Sequence, residues 1–491
     1  MADYSYVGYE CGDKPLPQVK GPIFDVSDYG AVPNDGKSDK VAIQKTIDAA
    51  VANGGGVVFF PKGRFCINAP SDNQKQLINV SHSNIILRGS GSAKGGTELF
   101  MEQHLLPRNP DEMWTTPFII NFDASNFSVP EDDFPNNGKR YQRLTTIVRH
   151  SKAETLSVIV KSAKHIKVGD WVALKRKDTS PEAIKKALTP YPPDPEWTDI
   201  NKEGVQVLEH HQVATIQGNT ITFREPVHFD TGPGQSWSLH AFRPLKQCGV
   251  EDIAFVGNWK QKFVHHKSSI HDGGWSILHL KGVANSWITR CRFTDVNCVV
   301  HIDHSSHVTV SRILLDGNRG HSAVTIRFSS HCLGARIKDT ASHWHACGVS
   351  KYATGNVFWR IQYPGDSSFE SHAQQPRHTL FDVVEGGFLD GRWGGAAFNQ
   401  PNHLEGLVLW NYKNLTEDND KPYEFFKTNK RYGKIIMPDI IGFHGGKVNF
   451  VSKQLRIHES QGKSVQPESL YEAQVILRKK ALPRWLEELK K

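Results

Sequence analysis

Four stretches of the chain align when written one beneath another: ILHLKGVANSWITRCRF (277–293), VVHIDHSSHVTVSRILL (299–315), TIRFSSHCLGARIKD (325–339) and VSKYATGNVFWRIQY (349–363). Equivalent positions recur about every 20 to 24 residues, the length of one turn of a β solenoid. In the first strand of each turn, Leu278, Leu280, Val300, Ile302, Val324, Ile326 and Phe328 alternate with polar neighbours, which points them into a core. The outward partners form two columns. One reads His279, His301, Thr325, Val349 and the other Lys281, Asp303, Arg327, Lys351. Stacked strands would hold successive members roughly 4.8 Å apart.

Working outward, FDVSDYGAVPNDGKSD (24–39) gives a short strand and a turn-rich loop. The following DKVAIQKTIDAAVANGGG (39–56) places Ile43, Ile47, Ala50 and Val51 on one helical face, with Ser38 or Asp39 to cap its start and Gly54 its end. One amphipathic helix ahead of many strands reads as a lid on the open end of a stack. Residues 106–250 break the rhythm with Pro-rich stretches such as ALTPYPPDPEWTD (187–199). Within them VGDWVALKRK (168–177) and HQVATIQGNTITFREPV (211–227) read as strands of an inserted module, with a hairpin at Gly218 and Asn219. The expectation is an all-β chain, a right-handed parallel β-helix with an N-terminal capping helix and a small inserted β-module. Its parts are the cap and first coils (21–105), the module (106–250), the central coils with the groove (251–400), and the last coils with one terminal helix from about Pro467 (401–491).

Composition narrows the function classes. The 491 residues carry a formal charge of +8, which suits an acidic partner, but the charge is dispersed and no nucleic-acid module is present. No apolar run reaches the roughly 18 residues of a membrane span. The seven cysteines form no CxxC pair and read as buried thiols. The opening MADYSYVGYE has neither the basic start nor the apolar stretch of a secretory signal. A secreted or periplasmic location is expected from the polymer substrate inferred below, with any signal removed before Met1. A monomer is expected.

The opening segment resembles the pectate-lyase-like β-helix superfamily. The residues that carry the likeness are Asp28, Tyr29, Gly30, Ala31, Asp35, Gly36, Asp39, Gly54 to Gly56, Val58, Pro61 and Gly63. Gly442 to Gly445 and the run Val465 to Gln474 further resemble a group that includes ulvan-degrading polysaccharide lyases. The resemblance implies an acidic, uronate-containing polysaccharide as substrate. It leaves calcium open as a cofactor, since some β-helix lyases set that ion on the carboxylate.

Cleaving such a glycan by β-elimination needs a cation on the carboxylate, a base for the C5 proton and an acid for the leaving oxygen. Arg327 can clamp a carboxylate with its planar fork, and Lys351 beside it is a candidate base. His321 and His345, each six residues ahead of one of these cations, and His301 in the other column are acid or base candidates. Lys281, His279, Asp303, His271, His343 and His372 are candidate substrate contacts. The blander reading is that the Lys, Asp, Arg, Lys column neutralises itself. A second row, Arg292, Arg312, Arg336 and Arg360, either binds acidic groups of the substrate or, more simply, pairs with Asp295, Asp316 and Asp339. His343 and His345 could give a metal two ligands, yet no third follows at a telling spacing, so no metal site is assigned. Trp275, Trp344, Trp359 and Trp393 are candidates for stacking on sugar rings. A glycoside hydrolase would instead use two of Asp272, Asp303, Asp366 and Glu370. A glycan-binding protein without catalysis would need neither set.

Overall fold

The computed structural model describes residues 1–124, 141–234, 236–430 and 432–491. Successive coils lay their strands in parallel, building a right-handed β-helix. One parallel sheet has seven strands: Ile78–Val80, Ile120–Asp123, Ser276–Lys281, Cys298–Asp303, Ser322–Arg327, His345–Ser350 and Ser368–His372. A seventeen-stranded sheet forms the other walls. Leu278, Val300, Val324 and Val349 point inward and are buried in one continuous core. No helix among the described residues is long and apolar enough to cross a membrane.

The N-terminal helix spans Lys40–Ala52 and buries Ile43, Ile47 and Ala50 against the first strands. Asp39 stands at its N-cap position without capping it. Its carboxylate instead accepts from the Val32 and Cys66 amides at 2.8 Å each, tying the turn-rich loop to the Gly63–Asn68 strand. The triple glycine after the helix is steric: a Cβ on Gly55 would lie 2.6 Å from that of Asn84, and one on Gly56 2.7 Å from the Phe24 ring.

The inserted module is a six-stranded antiparallel sheet running from Arg143–Thr146 to Ser238–Phe242 around its own core of Val158, Val172, Phe223 and Leu239. The hairpin closes with Gln217 opposite Thr220, and Gly218 takes the positive φ the turn requires. The expected limits of 106 and 250 move inward. Ile120–Asp123 pairs with solenoid strands on both sides, and Gly249–Glu251 pairs with Ile85–Gly89.

At the C-terminus two helices replace the one expected, Leu470–Lys479 and Arg484–Lys490, with Pro483 at the break. They explain the arginine row, and neither expected reading of it holds. Arg312 and Arg336 donate to the Glu488 and Lys491 carbonyls at 2.6 and 2.9 Å, while Arg360 pairs with Glu468 and Glu472. Asp339 meanwhile caps the turn at Ser342 and His343. Three of the four arginines dock the terminal helices, whose Tyr471, Val475 and Leu486 pack on Leu333, Val357 and Trp359, while Arg292 stands 3.9 Å from Glu98.

Register corrects the outward columns. Lys281, Asp303, Arg327, Ser350 and His372 are successive partners, as are His279, His301, Thr325, Gly348 and Glu370. The coil from Arg327 to Ser350 has one residue fewer than that from Asp303 to Arg327, so Val349 turns inward and Lys351 falls in the turn beyond the strand, at φ 52°. Along the column Lys281 Nζ lies 3.6 Å from Asp123, and Arg327 donates Nε to Asp303 at 2.7 Å and its second fork nitrogen to the other oxygen. His279 Nε2 stands 2.9 Å from the same carboxylate. Burial alone would raise the Asp303 carboxyl, but the Arg327 guanidinium, helped by His279, holds it well below the usual range.

Two stability outcomes follow. Arg360→Met removes a largely buried ion pair and should cost about 2 kcal/mol in denaturant unfolding, with faster amide exchange in Leu470–Lys479 and unchanged turnover. Lost turnover with unchanged exchange would return the row to the substrate. Asp303→Asn should cost about 3 kcal/mol at neutral pH, because the guanidinium then loses its anion. A depressed carboxyl stabilises fully above its unfolded pKa of about 3.9, so the gap between wild type and variant should close as pH falls through the lower folded value. A gap independent of pH would remove the ionic account of this column.

Candidate functional site

The last strands of the seven-stranded sheet bring together residues from three coils and from the loop ahead of Ser276–Lys281. His321 and His345 sit on neighbouring coils with ring centroids 5.4 Å apart. His265, from that loop, closes the group at 5.2 Å from His321 and 5.5 Å from His345. Its ring also stacks on Trp344 at 5.0 Å, and Arg392 covers the same indole. His321 donates Nδ1–H to the Asp272 carbonyl at 3.1 Å, which turns Nε2 toward the other rings. Asp272 pairs its carboxylate with His266 at 2.8 Å.

Burial, reinforced by the other imidazoles, depresses all three members: His265 to about 3, His321 below its ordinary value, and His345 well below it. Neutral rings with nitrogens within 4.8 Å of one another could hold one metal ion. Of the pair His343 and His345 that the sequence offered, only His345 belongs to this group, which His265 and His321 complete. For His265 the HisHis dipeptide in KFVHHKSS (262–269) was the available signal, but no spacing rule links it to His321 and His345.

Beside this group, Glu370 and His372 project from the last strand, with Glu370 Oε1 3.7 Å from His345 Nε2. Glu370 Oε1 and His345 Nδ1 are buried without a hydrogen-bond partner among the described residues. Burial pushes the Glu370 carboxyl up to about 8. It also pushes His372 down to about 4, with the nearby Lys351 and Arg327 cations adding to the effect. Lys351 holds its ammonium 5.4 Å from the Phe328 ring centre. A buried carboxyl, neutral imidazoles and two cations thus meet on one outward surface, which is the equipment for moving a proton next to an anion.

The remaining candidates lie elsewhere. His301 packs on Phe118 at 4.6 Å, and His279 is engaged with Asp303. His271 is buried against Trp259 and accepts from the Val264 amide. His343 is buried against Asp339, in a turn facing away from His345. Of the four tryptophans, Trp275, Trp359 and Trp393 are core residues, and only Trp344 is half-buried at the site. Asp303 is taken by Arg327, and Asp366 by Arg319 and Ser342.

Comparison with known proteins places a familiar domain at each end. Residues 23–169 match the family model of rhamnogalacturonase A/epimerase, pectate lyase-like proteins, and residues 342–489 match a domain of unknown function, DUF4955. The mannuronan C5-epimerases AlgE6 and AlgE3 of Azotobacter vinelandii are 37% and 35% identical over 68 residues, 14% of this chain but only 8% and 4% of theirs. Similar solved structures include the tailspike gp49 of Pseudomonas phage LKA1 (12% identity, 86% of this chain and 71% of that one, TM-score 0.45). Another is the AlgE4 A-module of Azotobacter vinelandii (11% identity, 90% and 96%, TM-score 0.43). The chain is a right-handed parallel β-helix, and its residues 23–169 carry a pectate lyase-like domain.

Proposed function

We propose that this protein is a polysaccharide lyase that cleaves an acidic, uronate-containing polymer of the ulvan type by β-elimination, outside the cytoplasm. The observation that carries the reading is the state of the carboxylates. A hydrolase needs two carboxyl groups free to flank the bond. Here Asp303 and Asp366 are each held by an arginine, and Asp272 by His266, which leaves Glu370 without such a partner among the described residues.

In the lyase reading Lys351 and Arg327 neutralise the uronate carboxylate, which makes the C5 proton acidic. Asp303 fixes the Arg327 fork, so Arg327 contributes charge while Lys351 reaches the substrate. His372, or His345 behind it, takes the proton. The C5–H electron pair becomes the C4–C5 double bond, the C4–O bond breaks, and the leaving oxygen takes a proton from the Glu370 carboxyl. His321, His301, Lys281 and His279 extend the surface over which the chain would lie.

A second reading has its own support. The short match to mannuronan C5-epimerases suggests that the same C5 carbanion is reprotonated from the opposite face, with no bond cleaved.

One incubation separates these. With ulvan, alginate, pectate, glucuronan and chondroitin and dermatan sulfates in heavy water, a lyase raises ultraviolet absorbance through the unsaturated uronate. Deuterium at C5 without absorbance would mean epimerisation, new reducing ends without absorbance a hydrolase, and tight binding with no product a glycan-binding protein. On the substrate that responds, Lys351→Ala and His372→Ala should each lower kcat about 100-fold or more, with a nearly unchanged melting temperature for Lys351→Ala. Full activity in both would move the chemistry off this surface.

A further inference from the structure

A second set of histidines lies far from the groove residues, buried where the inserted module meets the solenoid. Glu209 and His211 sit two apart on the module strand Val205–Gln217 and so face the same way. His228 follows the strand Thr220–Val227, and His331 stands in the turn before the solenoid strand Leu333–Asp339. All four are at most 2% exposed.

Around the Glu209 carboxylate, His211 Nε2 lies at 3.2 Å, His331 Nε2 at 3.5 Å and His228 Nε2 at 3.9 Å. None of these three nitrogens has a hydrogen-bond partner among the described residues. The short approach of His211 therefore fails the angle a hydrogen bond needs, although it meets the distance. Three imidazole nitrogens left unpaired in a dry interior would each cost free energy. A tetrahedral ion with bonds of about 2.0 to 2.1 Å separates its ligand atoms by about 3.3 Å, close to the 3.2 and 3.5 Å at which His211 and His331 stand from the carboxylate.

The far sides of the rings agree. His211 Nδ1 is 3.1 Å from Glu225 and His228 Nδ1 3.1 Å from Glu154. A carboxylate on Nδ1 fixes the proton there and leaves the Nε2 lone pair to ligate, the arrangement that metal-bound histidines use. Those two outer carboxylates more than offset the single positive charge that a dication and one glutamate would leave.

We infer that Glu209, His211 and His331, with His228 lining the site, bind one divalent transition-metal ion, zinc in chemical class, that fastens the inserted module to the solenoid. Full burial closes the site to substrate and makes it structural. The ion enters as the chain folds and adds its binding energy to the docking of the module. The inference is independent of the proposed lyase activity.

The rival is an imidazolium at His211 shared between Glu209 and Glu225 with no ion. The full chain produced in zinc-supplemented medium, then passed through a chelating column, should retain about one tightly held equivalent by elemental analysis. His331→Ala and Glu209→Gln should lose that equivalent and melt at lower temperature, whereas the double variant His265→Ala, His321→Ala in the groove should keep it. Wild-type protein grown with cobalt should show the visible bands of a tetrahedral nitrogen and oxygen site, a readout that does not depend on any variant folding. Metal-free wild type overturns the inference, as does metal lost from the groove variant but kept by His331→Ala and Glu209→Gln.

Discussion

Parallel strands stacked in register are the constraint on which everything else rests. Because side chains alternate with a period of two, a change of one residue in coil length exchanges the inward and outward sets. The coil that ends at Ser350 is one residue short of its predecessor, and the solenoid absorbs the difference in the turn at Lys351. The core stays apolar because Val349 keeps its inward place. What moves is the cation, which leaves the column and comes to stand near His372. A site assembled from a repeat is thus built where the repeat is imperfect.

Burial then decides which charges remain available. Along the column, Asp303 is so well matched by Arg327 and His279 that its carboxyl is held well below the usual range despite burial. Three coils further on, Glu370 is buried without a cation, and its carboxyl is raised. The two carboxylates project from the same sheet on the same fold. Their opposite behaviour follows from what each coil supplies, a guanidinium beside Asp303 and burial alone around Glu370.

The solenoid was legible because its signal is periodic: alternation gave the inward residues from Leu278 to Ile326, and coil length gave the stacking. The helix from Lys40 was legible from its apolar face, and the hairpin at Gly218 from its turn residues. What escaped was every contact made between elements with no shared period. Arg312, Arg336 and Arg360 recur regularly, so they read as a functional row, yet their partners lie in helices more than a hundred residues away. His265 escaped for the same reason. Lys351 was misplaced because the coil from Arg327 is one residue shorter than its predecessor, which the sequence pattern does not mark.

The 24 histidines of the chain fall into populations that composition cannot separate. His271 and His343 make local bonds and serve turns. His265, His321 and His345 reach a half-buried surface, where neutral rings can exchange protons with a bound molecule or hold an ion open to it. His211, His228 and His331 sit in a closed interior, where no substrate arrives and each unpaired nitrogen is a cost. The module sheet contributes two of these and the solenoid the third, so neither part completes the set alone. An inserted sheet with its own core has no need of polar groups on the face it docks. The concentration of carboxylates and imidazoles on that face is therefore explained by what the two parts hold jointly.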